Sequence, residues 1–163
     1  MQKKIKVLYE DSNILAIDKP SGILVHPDLK GKEPTILDLF IKKYPKLEIV
    51  HRLDRETSGV LLLAKNKKAH EILKNQFQDR KIKKIYHTIV SGSMKNDRGV
   101  INKPIGRSPK DFRRHLSGRG ARGEMREAVT EYRVLKRFTA PGARNFSSCA
   151  LPRVRVGTLG SVK

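Results

Sequence analysis

Cysteine is nearly absent from this chain. Cys149 is the only one among 163 residues, and the five histidines are scattered, so neither a disulfide framework nor a Cys/His zinc spacing can be assembled within it. A reducing compartment and no metal are expected. Long apolar runs are missing too. The longest, Val60 to Ala64, falls far short of the roughly 20 residues a membrane-spanning helix needs. The opening Met1-Gln2-Lys3-Lys4-Ile5-Lys6 is basic, but Tyr9-Glu10-Asp11-Ser12-Asn13 ends any signal-like apolar stretch. These absences predict a soluble, cytoplasmic protein with no membrane association. No internal repeat is evident. Acidic residues are scarce: 16 Asp and Glu stand against 36 Lys and Arg, a formal net charge of +20. Such an excess favours a polyanionic partner, nucleic acid ahead of an anionic membrane surface, although a solvated cationic surface also attracts polyanions without specificity.

A chain of this length suits one compact core that buries roughly two thirds of the surface exposed on unfolding. Ile5 to Tyr9 and Ile14 to Ile17 flank a polar turn and read as a β-hairpin, which Lys19-Pro20-Ser21-Gly22 then breaks. Thr35 caps a helix whose residues 36, 37, 40 and 41 share a face, and Pro45 stops it. Gly59 to Lys65 reads as a buried strand. Lys67 to Asp79 reads as an amphipathic helix with Ile72, Leu73, Gln76 and Phe77 toward the core. Tyr86, Thr88 and Val90 alternate along one further strand, and Val129 to Phe138 has the β-branched and aromatic content of another. Residues 80–126 carry 14 Lys or Arg against Asp97, Asp111 and Glu124, and the stretch reads as a mobile cationic loop facing RNA or solvent. After Phe138 the apolar residues Val154, Val156 and Leu159 are too sparse to predict a strand. The pattern predicts an α+β class, with a mixed, largely antiparallel sheet and flanking helices.

The segment His51-Arg52-Leu53-Asp54-Arg55-Glu56-Thr57-Ser58-Gly59 sets one acid between two arginines, in a polar loop that leads into an apolar strand. Charge pattern alone favours an ordinary loop in which Asp54 pairs with Arg52 or Arg55. The residues, however, resemble the signature of the RluA-type pseudouridine synthases, His-Arg-Leu-Asp followed by Thr-Ser-Gly. Further stretches follow in that family's order: Asp18-Lys19-Pro20-Ser21-Gly22, Val25-His26-Pro27, Lys84-Ile85-Tyr86 ending in Ser91-Gly92, Pro104-Ile105-Gly106-Arg107, and Ala128 to Leu135. The resemblance covers about residues 5–138 and implies an RNA-modifying isomerase without a cofactor. It implies Asp54 as the catalytic aspartate and Tyr86 as the aromatic residue lying against the target base. Arg52 would act near the displaced base, while Arg55, Arg107, Arg113 and Arg114 are candidates for RNA backbone contacts. Each has a blander alternative: Tyr86 as core, Arg52 as counter-ion to Asp54, and the other arginines as solvated charge. The Lys19 turn is assigned to architecture.

Members of that family continue past the Tyr-Arg-Val-Leu strand into a Thr-Gly-Arg-Thr-His-Gln-Ile-Arg-like motif, which this sequence does not contain. The chain is therefore expected to divide into the N-terminal portion of a catalytic domain, 1–138, and an atypical tail, 139–163, arising from a truncated or frame-altered coding sequence. The expected partner is ribosomal or transfer RNA, with no obligate protein partner. A catalytically impaired RNA-binding module and a merely basic structural domain are the competing readings.

Overall fold

The structure, a computed structural model, describes residues 5–27, 31, 33–110, 115–117, 120–139 and 145–156, with the backbone alone described at 122, 139 and 145–156. The chain forms two compact units, 1–82 and 83–163. The single core expected from length is thus replaced by two units, and the buried apolar side chains are unevenly shared. They run from Leu15 to Leu73 in the first unit, with Ala128 alone in the second among the described side chains.

In the first unit, β1 (Lys6–Glu10) and β2 (Ile14–Lys19) form the expected hairpin. Asp11 closes its turn by accepting from the backbone N–H groups of Asn13 and Ile14 at 2.7 and 2.6 Å. β4 (Gly59–Ala64) pairs antiparallel with β2, and the short β3 (Glu48–Ile49) completes a sheet ordered β1-β2-β4-β3. The register sets Leu15 opposite Leu63 and Ile17 opposite Leu61. All four are fully buried, as alternation demands of one sheet face. α1 (Ile36–Ile41) begins at Thr35, whose hydroxyl accepts from the Asp38 N–H while the Asp38 carboxylate accepts from the Thr35 N–H, so two end groups are satisfied reciprocally. Ile36 is buried on this helix and Ile41 is exposed. On α2 (Lys67–Gln78), Ala69 and Leu73 pack with Ala64, Ile14 and Val50. Ile72, expected in the core, is half exposed. The residues four apart, Ala69 and Leu73, define the buried stripe, and Ile72 lies about 100° away from Leu73 around the helix.

Glu10, Asp11 and Asp38 all have their carboxyl pKa held below the ordinary range. The causes are, in turn, hydrogen bonds from Lys65 and Tyr44, the Asn13 and Ile14 amides, and the Thr35 amide and hydroxyl. Their stabilisation is complete above the ordinary carboxylate pKa of about 4 and disappears as pH falls through the lowered folded values. Urea unfolding of the chain should therefore show a midpoint that drops on acidification. Asp11→Asn should be less stable than the parent at neutral pH but lose less on acidification. An equal acid loss in both would contradict the assignment of Asp11.

The second unit holds a sheet ordered β5-β11-β10-β6, all antiparallel: β5 (Tyr86–Ser91), β11 (Asn145–Val156), β10 (Ala128–Thr139) and β6 (Arg98–Asn102). The sequence after Phe138 does not predict β11, which nonetheless pairs on both sides. Backbone ladders on two edges place a strand that its own apolar pattern does not announce. Gly99 sits opposite Tyr132, and a Cβ there would come within 2.7 Å of the Tyr132 ring. Glycine therefore lets the aromatic ring lie against the neighbouring strand.

The basic connection is likewise not one loop. Besides β6 it contains β7 (Ile105–Arg107), β8 (His115–Ser117) and β9 (Arg122–Arg126), a three-stranded sheet with β7 in the centre. The correction has a physical basis: β7 and β8, at three residues each, are too short to carry a hydrophobic period, β9 holds one large apolar residue, Met125, and backbone pairing forms them in a stretch whose composition reads as unstructured.

Candidate active site

The loop 51–58 is anchored at both ends before its acid is displayed. At its start the His51 ring accepts from the Leu62 N–H through Nε2 at 2.9 Å and stacks on Phe77 of α2 at 4.5 Å. β3 stops at Ile49, so the ring takes the place of the next backbone partner for β4. At its end Gly59 has φ +124°, a conformation that disfavours any Cβ, and it faces Lys19 across the β2–β4 ladder.

Lys19 is the main brace. Its side chain is fully buried, and Nζ donates to the carbonyls of Pro20, Ile23 and Arg55 at 3.0, 2.8 and 3.0 Å. Three ammonium protons meet three acceptors, which lets a cation remain in the interior. Burial pulls the Lys19 pKa down, and the nearby Glu56 and Asp54 charges oppose that shift. The Gly22 N–H also donates to the Arg55 carbonyl at 2.8 Å, and the Ser21 hydroxyl donates to the Glu56 carbonyl at 2.9 Å. The turn after β2 and the acid-bearing loop are thus stitched together around a buried ammonium. The sequence singled out this lysine only as part of a turn. One of its three acceptors, the Arg55 carbonyl, comes from a segment 36 positions away, which sequence spacing does not reveal.

Asp54 stands exposed on this braced loop, and its carbonyl accepts from the Thr57 N–H at 3.1 Å. Neither neighbouring arginine pairs with its carboxylate. Arg52 reaches the His26 ring, with Nη1 3.1 Å from Nε2. Arg55 binds Glu33 at 2.9 Å and donates to the Gly22 carbonyl at 3.2 Å. The ordinary loop in which Asp54 neutralises Arg52 or Arg55 is therefore not what forms. Asp54, Arg52 and Arg55 belong to the first unit, whereas Tyr86 and Arg107 belong to the second. Tyr86 is partly buried at the start of β5. Arg107 is exposed on β7, with His115 opposite it on one side and Arg122 on the other. Arg113 and Arg114 lie outside the described residues. Among the described residues no three His, Cys, Asp or Glu groups gather as a metal site, and no helix is long and apolar enough to cross a membrane.

The family model for RNA pseudouridylate synthase matches residues 13–155. The chain belongs to this family. The match extends beyond Phe138, where the motif resemblance ends, and takes in nearly all of β11. An RNA pseudouridine synthase of Aquifex aeolicus, named as uncharacterized, is 41% identical over 143 residues, covering 82% of this chain and 44% of the relative. The ribosomal large subunit pseudouridine synthase D of Nitrosomonas europaea is 38% identical over 142 residues, covering 83% of this chain and 40% of the relative. This chain therefore spans less than half the length of these curated relatives. Human RNA pseudouridylate synthase domain containing 4 superposes with a TM-score of 0.68 at 29% identity, covering 89% of this chain and 57% of that one. Human RNA pseudouridylate synthase domain containing 1 has a TM-score of 0.76 at 24% identity, covering 91% and 59%, and shares the fold.

Proposed function

We propose that this chain carries the catalytic aspartate of an enzyme that converts uridine to pseudouridine in structured ribosomal or transfer RNA, with Asp54 as that aspartate. The observation that carries the reading is an exposed carboxylate on a loop braced by buried Lys19, with both flanking arginines bound elsewhere. The reaction breaks the ribose C1′ to uracil N1 bond, turns the base, and joins C1′ to C5. The proton on C5 leaves, N1 gains one, and no atoms are lost overall. A carboxylate serves this chemistry by adding to, or electrostatically stabilising, the electron-poor C1′ and by taking part in proton removal. No cofactor is required.

The target base must leave the RNA stack, and an aromatic face compensates part of the lost stacking. Tyr86 is assigned that role, and Arg52 a contact to RNA near the displaced base. Arg55, Arg107, Arg113 and Arg114 are assigned to the phosphate backbone, the last two on sequence alone. The enzyme would work in the cytoplasm, beside its RNA.

Tritium release from RNA labelled at uracil C5 tests the proposal, with the chain compared against Asp54→Ala. Release by the parent alone supports Asp54-dependent isomerisation. RNA binding without release by either folded protein would favour the RNA-binding module instead. Arg107→Gln should weaken RNA binding and reduce the slope of log K against log salt by about 0.7, the value for one lost contact to single-stranded phosphate. Fluorescence anisotropy across a salt series reads this, and an unchanged slope would remove Arg107 from the interface.

A further inference from the structure

One face of the four-stranded sheet in the second unit sets cations opposite one another. Arg98 on β6 stands directly across from Arg133 on β10, and the same transverse row continues over Ala150 on β11 to His87 on β5. Arg98, Arg133 and His87 are exposed. In the adjoining row Lys136 pairs with Ser148, because the bulge between Val134 and Lys136 brings Lys136 onto the face of Arg133. Tyr86 precedes His87 along β5 and so belongs to the other face. Directly opposed residues of an antiparallel pair have Cβ atoms about 4.5–5.5 Å apart, and like charges there are destabilising. Nearby acids do not relieve the pair. Asp97 adjoins Arg98 in sequence but is bound by Arg137. Glu131, one row on, stands opposite Val100 on β6 and Arg153 on β11. Among the described residues neither the Arg98 nor the Arg133 guanidinium has an ion-pair or hydrogen-bond partner.

The geometry points to the Arg98–Arg133 pair as a phosphate clamp, a site where one phosphate of an RNA backbone accepts from both guanidiniums. Each guanidinium is a planar fork of donors matched to phosphate oxygens. An anion bound between the two replaces their mutual repulsion with two attractions, and Lys136 extends the positive track along β10. The row lies on the face opposite Tyr86, so the phosphate it holds belongs to a backbone segment remote from the displaced base. Such a contact fixes how a folded RNA lies on the protein without reading its sequence. RNA as the anion rests on the proposed function. The uncompensated arginine pair is a property of the free protein and is measurable without turnover.

The test compares the full chain with Arg98→Gln, Arg133→Gln and the double variant, by urea unfolding and by anisotropy of a fluorescein-labelled oligouridine. Each single variant should unfold at a higher urea midpoint than the parent, most clearly at low salt. The double variant should gain no more than either single one, since one replacement already removes the repulsion. Affinity should move the other way, falling about tenfold in each single variant, the effect of losing a charge-assisted hydrogen bond. The slope of log K against log salt should shrink by about 0.7 per arginine. Two further variants separate a clamp from diffuse positive charge. Arg133→Lys keeps the charge without the fork and should still lose about fivefold. Lys95→Gln removes an exposed charge of the same unit outside the row and should stay within about twofold of the parent. Unchanged affinity in the glutamine variants would overturn the clamp, as would an equal loss in Lys95→Gln or a lowered urea midpoint in the single variants. A change of oligomeric state in sedimentation, with RNA affinity unmoved, would instead give this face, which also exposes Ile89 and Val100, to a second copy of the chain. Absence of tritium release by the parent would defeat the proposed isomerisation, while binding and unfolding still decide the clamp.

Discussion

Lys19→Met should cost the first unit about 3 kcal/mol of stability, because buried acceptors left without a donor cost about 1–3 kcal/mol each and removal of the buried charge offsets part of the sum. Methionine keeps the length and apolar stem of the side chain, so little packing is lost. What disappears is the donor to the Pro20 and Ile23 carbonyls and one of two donors to the Arg55 carbonyl, which keeps the Gly22 N–H. Arg55 immediately follows Asp54, so the same change should loosen the acid-bearing loop and depress isomerisation more than unfolding alone explains. Urea unfolding followed by circular dichroism measures the first effect. Tritium release at a temperature where both proteins are folded measures the second. A loss below about 1 kcal/mol, the size of an ordinary surface substitution or less, would mean that the ammonium does not brace the loop.

Asp54→Asn should have the opposite profile. Tritium release should drop by about a thousandfold or more, since the amide neither adds to C1′ nor accepts a proton at neutral pH, and such groups contribute factors of about 10² to 10⁴. Stability should change by less than about 0.5 kcal/mol, because the side chain is exposed and holds no ion pair among the described residues. RNA affinity should stay within about twofold of the parent, since the phosphate contacts that supply most of it lie elsewhere. Comparable turnover in Asp54→Asn and parent would reject the carboxylate as the reacting group. A large loss of stability would instead give Asp54 a structural role.

Periodicity made part of this fold legible. The Ile5–Tyr9 and Ile14–Ile17 hairpin, the Thr35 cap, the apolar strand before Lys65 and the α2 helix each declare themselves through local pattern, and all form. Short strands do not. Glu48–Ile49 has two residues, and Ile105–Arg107 and His115–Ser117 have three each; the long β11, by contrast, escapes notice because it depends on partners at both edges rather than on its own apolar pattern. The position of the acid was legible from the order of motifs around Asp54. Its environment was not, because burial of Lys19, the His51 contact to Leu62 and the His26 contact to Arg52 all join residues distant in sequence.

The strand order of the second unit also imposes a timetable. Tyr86 at the start of β5 pairs with Leu151 on β11, and among the described residues no strand between them in sequence takes that place in the ladder. During synthesis β5 must wait, with open backbone edges, until the late strand emerges. β6 and β10, closer in sequence, can pair sooner. Closing that long gap carries the entropy cost of distant pairing and exposes unpaired edges while it lasts. The first unit completes all its strand pairs by Ala64. Nascent chains would therefore hold a formed Asp54 loop well before the sheet that carries Tyr86 is closed.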